Sequence, residues 1–147
     1  MAFDFKKAEA QDLPALAELG AQLWQEHTAA ALAEEFSKTM LHKDAAFFLA
    51  YAGPISVGFA ECQLRHDYVE GTESSPVGYL EGIFVSEEYR KSGIAKGLLS
   101  ACEAWAKEQG CREFASDCEL ENAQSLHFHL HTGFTEANRI ICFAKKL

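Results

Sequence analysis

The chain has 147 residues, 48% of them hydrophobic, 24% charged and 12% aromatic. That length and composition fit one globular domain over residues 1–147 and exclude a disordered, collagen-like or disulfide-framework protein. Asp and Glu outnumber Lys and Arg by 22 to 13, a net charge of −9, so no nucleic-acid partner is expected, because such proteins carry a basic patch.

No run of about 18 apolar residues is present, so no membrane partner is expected. Met1 to Lys7 carries charges where a signal peptide needs an apolar core. The five cysteines, Cys62, Cys102, Cys111, Cys118 and Cys142, are odd in number and form no C-x-x-C pair. Free thiols in the cytoplasm are therefore expected rather than a zinc site or disulfides.

Phe3 to Ala8 reads as a strand. Asp12 reads as an N-cap, with Pro14 in the first turn of a helix that carries Leu16, Leu19 and Leu23. Thr28 to Met40 reads as a second helix. The apolar runs Ala45 to Ala52 and Ile55 to Arg65 flank Gly53-Pro54, a turn, and form an antiparallel hairpin. The polar loop His66 to Pro76 is long for a compact domain, a sign of function.

Val77 to Val85 reads as a strand. A helix follows from Gly93 to Gln109, with Ile94, Leu98, Cys102 and Trp105 on one face and Gly110 as its stop. Arg112 to Cys118 reads as a strand, Asn122 caps a short helix ending at Gly133, and Arg139 to Lys145 reads as a closing strand. The late strand–helix–strand order requires parallel pairing. The fold class is thus α/β, a mixed central sheet with helices on both faces.

The segment Tyr89-Arg-Lys-Ser-Gly-Ile-Ala-Lys-Gly97 joins a strand to a long helix. A helix N-terminus offers unpaired N–H groups and a positive dipole end. Gly93 and Ala95 admit an anion closely, and Arg90, Lys91 and Lys96 add positive charge to an acidic chain. The turn reads as a pyrophosphate site, although an ordinary helix start with a basic turn has the same spacing. It lacks both the P-loop sequence and the three-glycine dinucleotide fingerprint.

Arg90-x-x-Gly93-x-Ala95 matches the [Q/R]-x-x-G-x-[G/A] motif of the GNAT superfamily of N-acetyltransferases, and Asn122 and Gly133-Phe134 continue the pattern. Within that superfamily the chain resembles the bacterial aminoglycoside 6'-N-acetyltransferases. The residues that carry the likeness are Tyr68 to Val85, Glu113 to Asp117, Phe143 to Lys146, and Trp24.

The resemblance implies acetyl-CoA as co-substrate, held where the strands ending at Val85 and at Cys118 splay apart. It gives the backbone of Ile83, Phe84 and Val85 to the pantetheine arm. Residues Arg90, Lys91, Ser92, Gly93, Ile94, Ala95 and Lys96 fall to the pyrophosphate, and Asn122 to the cofactor further along. It also implies a homodimer and resistance to aminoglycosides. Many members carry a Tyr seven residues after this Asn as proton donor to the thiolate; this chain has His129 there. His127 and His131 share a helix face without a third ligand, so no metal is expected.

An acceptor polycation calls for an acidic pocket. The resemblance places Glu81 and Asp117 there, Glu81 as the general base and Asp117 orienting the amine, with Trp24 and Tyr68 against sugar rings. Either carboxylate could instead pair with a basic neighbour, and Trp24 could be core. Cys118 has no His beside it, so direct attack in a ternary complex is expected rather than an acetyl-cysteine. Asn138 stands where relatives often have an acid, and Glu136 lies two residues earlier. Another cationic amine (a polyamine or protein amine) or a non-catalytic acetyl-CoA-binding module are the competing readings.

Overall fold

The hairpin about Gly53-Pro54 organises the sheet. In the computed structural model, which describes residues 2–147, β2 (Ala45–Ala52) and β3 (Ile55–Arg65) pair antiparallel. β1 (Asp4–Lys7) adds to β2 and β4 (Val77–Val85) adds to β3, both antiparallel. β5 (Phe114–Ser116) joins β4 in parallel, and the five-stranded sheet has the order β1-β2-β3-β4-β5.

Strand alternation sends neighbouring residues to opposite faces. Phe47, Leu49 and Phe59 meet Leu16, Leu19, Leu32 and Phe36 of α1 (Leu13–Leu23) and α2 (Ala29–Thr39). Phe48, Ala50, Ala60 and Cys62 meet Leu98, Leu99, Cys102 and Trp105 of α3 (Ile94–Glu108) on the other face. Phe128 of α4 (Ala123–His131) packs against that second core. The helices thus cover both faces, as the sequence pattern requires. Thr28 caps α2 by accepting the Ala31 N–H (3.1 Å), the bond that fixes where this Ala-rich helix starts.

Three expectations are corrected. Asp12 does not cap α1 with its side chain. Its carboxylate turns back to accept the Glu9 N–H (2.8 Å) and to pair with Lys6 Nζ (3.0 Å). The closing strand Arg139 to Lys145 does not form. Its residues have a strand's composition, but a strand exists only when another edge supplies hydrogen bonds. Here the segment lies exposed, held by Arg139 on Glu136 (2.8 Å) and by Asn138 on Glu70. β5 also spans only Phe114 to Ser116, because parallel pairing stops at Leu80–Ser116.

The α1–α2 face depends on Phe36, 2% exposed and stacked near the rings of Trp24, Phe47 and Phe59. Phe36→Ala is expected to remove about 3–5 kcal/mol of stability, the usual cost of deleting a buried aromatic ring. Urea unfolding checks this, and a loss under about 1 kcal/mol would show that the two helices are held some other way.

Candidate active site

One extra residue in β4 shapes the site. Glu61 of β3 faces Gly82, and its neighbour Cys62 faces Leu80, so Glu81 is skipped as a β-bulge. A bulge bends its strand and inverts the alternation beyond it. Before the bulge, Gly78 N–H donates to Glu113 O (3.1 Å), toward β5. After it, Ser86 N–H donates to Val57 O (2.8 Å), toward β3. Ile83 and Val85 therefore turn their backbone groups to the β5 side, where pairing has already ended. Their edge opens on a gap. Phe84, between them, packs into the α1–α2 core, and Val85 is buried.

The start of α3 borders that gap. Gly97 N–H is bonded to Gly93 O (3.0 Å), and no side chain caps the helix. The N–H groups of Ile94, Ala95 and Lys96 precede that bond. Lys91 (φ 63°) and Gly93 (φ 84°) both take the left-handed conformation, which is costly for Lys and easy for Gly. Arg90 Nε donates to Val85 O (2.9 Å), and Ser92 Oγ donates to Tyr89 O (2.7 Å). Arg90 thus ties the turn to the strand end. Lys91, Ser92 and Lys96 stay exposed beside the uncapped helix start, an arrangement suited to a pyrophosphate.

The acidic residues lie on the α1–α2 face. Arg65 pairs with Glu81 through two guanidinium nitrogens (3.0–3.3 Å) and stacks on the Tyr79 ring, 3.4 Å from its centroid. The Tyr79 hydroxyl donates to Asp117. Burial first, and then this bond, push that hydroxyl above its ordinary range, so it stays a donor. Glu81 and Asp117 are thereby joined through Arg65 and Tyr79, two residues the sequence reading did not single out. The basic neighbour foreseen for one carboxylate is Arg65.

His129 Nδ1 lies 2.7 Å from Ser125 O, an acceptor only, so Nδ1 carries a proton. Its Nε2 lies 2.8 Å from Ser116 Oγ, at the last paired residue of β5. Asn122 Oδ1 accepts the Ser125 N–H (3.0 Å), so that atom caps α4 and its amide nitrogen remains for a ligand. Tyr68 is 77% exposed and bonded to Glu70. Cys118 is exposed. Among the described residues, no group of His, Cys, Asp and Glu has the makings of a metal site.

Trp24 is both core and wall. It packs edge-on to Phe36 and Phe59, and lines a cavity of about 250 Å³ with Glu35, Glu61 and Glu81. A Cβ at position 82 would stand 2.5 Å from the Trp24 ring, so Gly82 is what lets the indole reach β4. Glu61 is 8% exposed, and burial, outweighing the Gln63 hydrogen bond, raises its carboxyl from 4.5 to about 7. The sequence carried one hint of it. Glu61, Gln63 and Arg65 follow Phe59 at two-residue spacing and form a polar row on one face of an apolar strand.

The acetyltransferase (GNAT) family pattern matches residues 11–134. The chain belongs to this family. Among its GNAT relatives, aminoglycoside N(6')-acetyltransferase type 1 of Stenotrophomonas maltophilia is 43% identical, over 97% of this chain and 92% of the relative. That of Acinetobacter haemolyticus is 39% identical, over 98% and 99%. A structure of aminoglycoside N-acetyltransferase AAC(6')-Iy in complex with CoA superposes with a TM-score of 0.96 at 38% identity, covering 99% of this chain and 96% of that one.

Glu61 sets a pH test of this GNAT site. Between about pH 4.5 and 7 the unfolded chain holds this carboxylate ionised while the folded chain holds it protonated, so its contribution to stability falls as pH rises. Glu61→Gln removes that penalty. The variant should match the wild type below pH 4.5 and exceed it above pH 7 by roughly 2–3 kcal/mol. Urea unfolding across pH measures the difference; a variant less stable than wild type at pH 8 contradicts the assignment.

Proposed function

We propose that residues 1–147 act as a single N-acetyltransferase domain that moves acetyl from acetyl-CoA to the 6'-amine of aminoglycosides, so conferring resistance. The observation that carries this is the placement of an uncapped, basic helix start beside an unpaired strand edge, with carboxylates across the bulge. The family relatives named above, two of them aminoglycoside N(6')-acetyltransferases, support the acceptor. A structure of AAC(6')-Iy in complex with the bisubstrate analogue CoA-S-monomethyl-acetylneamine, with a TM-score of 0.95, supports the pairing of the two substrates.

In this reading the N–H groups from Arg90 to Lys96 hold the pyrophosphate, and the Ile83–Val85 edge takes the pantetheine as an added strand. The Asn122 amide nitrogen reaches the cofactor further along. The substrate ammonium displaces Arg65 from Glu81, and Glu81 accepts its proton, directly or through water. The free amine attacks the thioester carbon, and a backbone N–H near Val85 stabilises the oxyanion. The C–S bond breaks; the thiolate takes the Ser116 hydroxyl proton, and the second proton of the attacking nitrogen passes to Ser116 Oγ, which His129 Nε2 holds in place as an acceptor. Asp117, held by Tyr79, orients the amine. Trp24 stacks on the sugar, and Tyr68 closes over it from the loop.

Two further features belong to the proposal. The exposed tail with Ile140, Ile141 and Phe143 lies unpaired, and a homodimer covers it with a second copy. The free cysteines fit the cytoplasm, and among the described residues no helix is long and apolar enough to cross a membrane.

The test is product mass with acetyl-CoA and two aminoglycosides of similar skeleton, one bearing a 6'-amine and the other a 6'-hydroxyl. A single acetyl gained only by the amine is the expected result, and Glu81→Gln should lower kcat/KM about a hundredfold or more. Acetylation of spermidine or a peptide amine instead of either drug contradicts the acceptor.

A further inference from the structure

The transfer scheme leaves one carboxylate of the site without a task. Glu61 is 8% exposed. Its Oε2 accepts from Gln63 Nε2 (2.8 Å), and its Oε1 has no hydrogen-bond partner among the described residues. Since no buried side-chain oxygen or nitrogen among the described residues lacks a partner, Oε1 is not sealed in protein. It opens on the cavity that Glu61 lines.

The charges around it are of one sign. α2 presents Glu35 and β4 presents Glu81 to the same cavity, and both bear on Glu61 as like charges. The turn after α1 presents His27, whose Nε2 lies 3.7 Å from Glu26. β3 presents Gln63, and the nearby Arg65 is committed to Glu81. No Lys or Arg lines the cavity. A carboxylate buried among other carboxylates is costly unless a cation comes to it. Trp24, Leu32 and Phe36 border the group and lower the local dielectric, which strengthens such a pairing.

We propose that this cavity is a subsite for a second ammonium group of the substrate, with Glu61 as the anchor that selects for it. The subsite rests on the reading of the chain as an aminoglycoside acetyltransferase. Glu61 faces Gly82 across the bulge, so the anchor stands beside Glu81, where the reacting amine is held. A substrate with amines on adjoining positions of one scaffold spans both carboxylates; a substrate with the reacting amine alone leaves Glu61 unpaired. Binding of the second ammonium also ionises a carboxyl that is about half protonated at pH 7, and a fraction of a proton is released.

The experiment compares wild type and Glu61→Gln on neamine, which carries several amines, and on a methyl 6-amino-6-deoxyglucoside, which carries only the reacting one. The ratio of kcat/KM for neamine to that for the glucoside is expected to fall about tenfold or more in the variant, through KM, as loss of one charge-assisted bond implies. Calorimetry in two buffers of different ionisation heat should show proton release when neamine binds wild type at pH 7, and none with Glu61→Gln. CoA affinity reports whether the variant is folded. Glu35→Gln, an exposed change, should lower the same ratio more weakly.

An unchanged ratio and unchanged proton release in a folded Glu61→Gln overturn the subsite while acetyl transfer stands. Absence of neamine acetylation by the wild type overturns the acceptor assignment, and the subsite with it.

Discussion

The bulge at Glu81 is the constraint from which the rest of the site follows. Without the extra residue, β4 would keep one parity along its length and present Gly82 and Phe84 to the β5 side. With it, Ile83 and Val85 turn their backbone outward where β5 has ended. Alternation from Tyr79 puts Glu81 on the α1–α2 face, within reach of Arg65, and the bulge sets Gly82 beside it, where the Trp24 ring reaches the strand. The cofactor edge and the wall beside the acceptor carboxylate are thus set by one backbone irregularity.

The site holds its charges at some cost to the fold. Glu61 lies buried beside two other carboxylates, and Lys91 and Gly93 take left-handed backbone ahead of a helix left without a cap. A chain selected for stability alone would place an apolar residue at 61 and a Ser or Asp before α3. Arg65 offsets part of the acidic charge by resting on Glu81 and the Tyr79 ring. It stands where an incoming ammonium would bind, which keeps the reacting carboxylate satisfied until a substrate cation replaces it.

The hairpin, the parallel β4–β5 pair, and α3 with its glycine-led start were all legible in the sequence. Each rests on local chemistry, such as the Gly53-Pro54 turn or the apolar spacing of Ile94, Leu98, Cys102 and Trp105. Glu81 and Asp117 were named through family resemblance, but what holds them was not. Arg65 meets Glu81 from 16 residues away, and that meeting depends on strand register and on a bulge that no local pattern marks. Glu61 was hidden in a strand that reads as apolar. Arg139 to Lys145 shows the converse limit: a strand-like composition does not make a strand where the segment pairs with no edge.

The central claim is that the unpaired edge of β4 beyond the bulge receives the cofactor. Backbone hydrogen exchange with and without acetyl-CoA tests it most directly. The account predicts that the Ile83 and Val85 amides, with those of Ile94 to Lys96, gain protection when acetyl-CoA binds. Gly82 and Phe84, already turned to β3, should change little. Protection confined to other segments, or equal protection along both parities of β4, would contradict it.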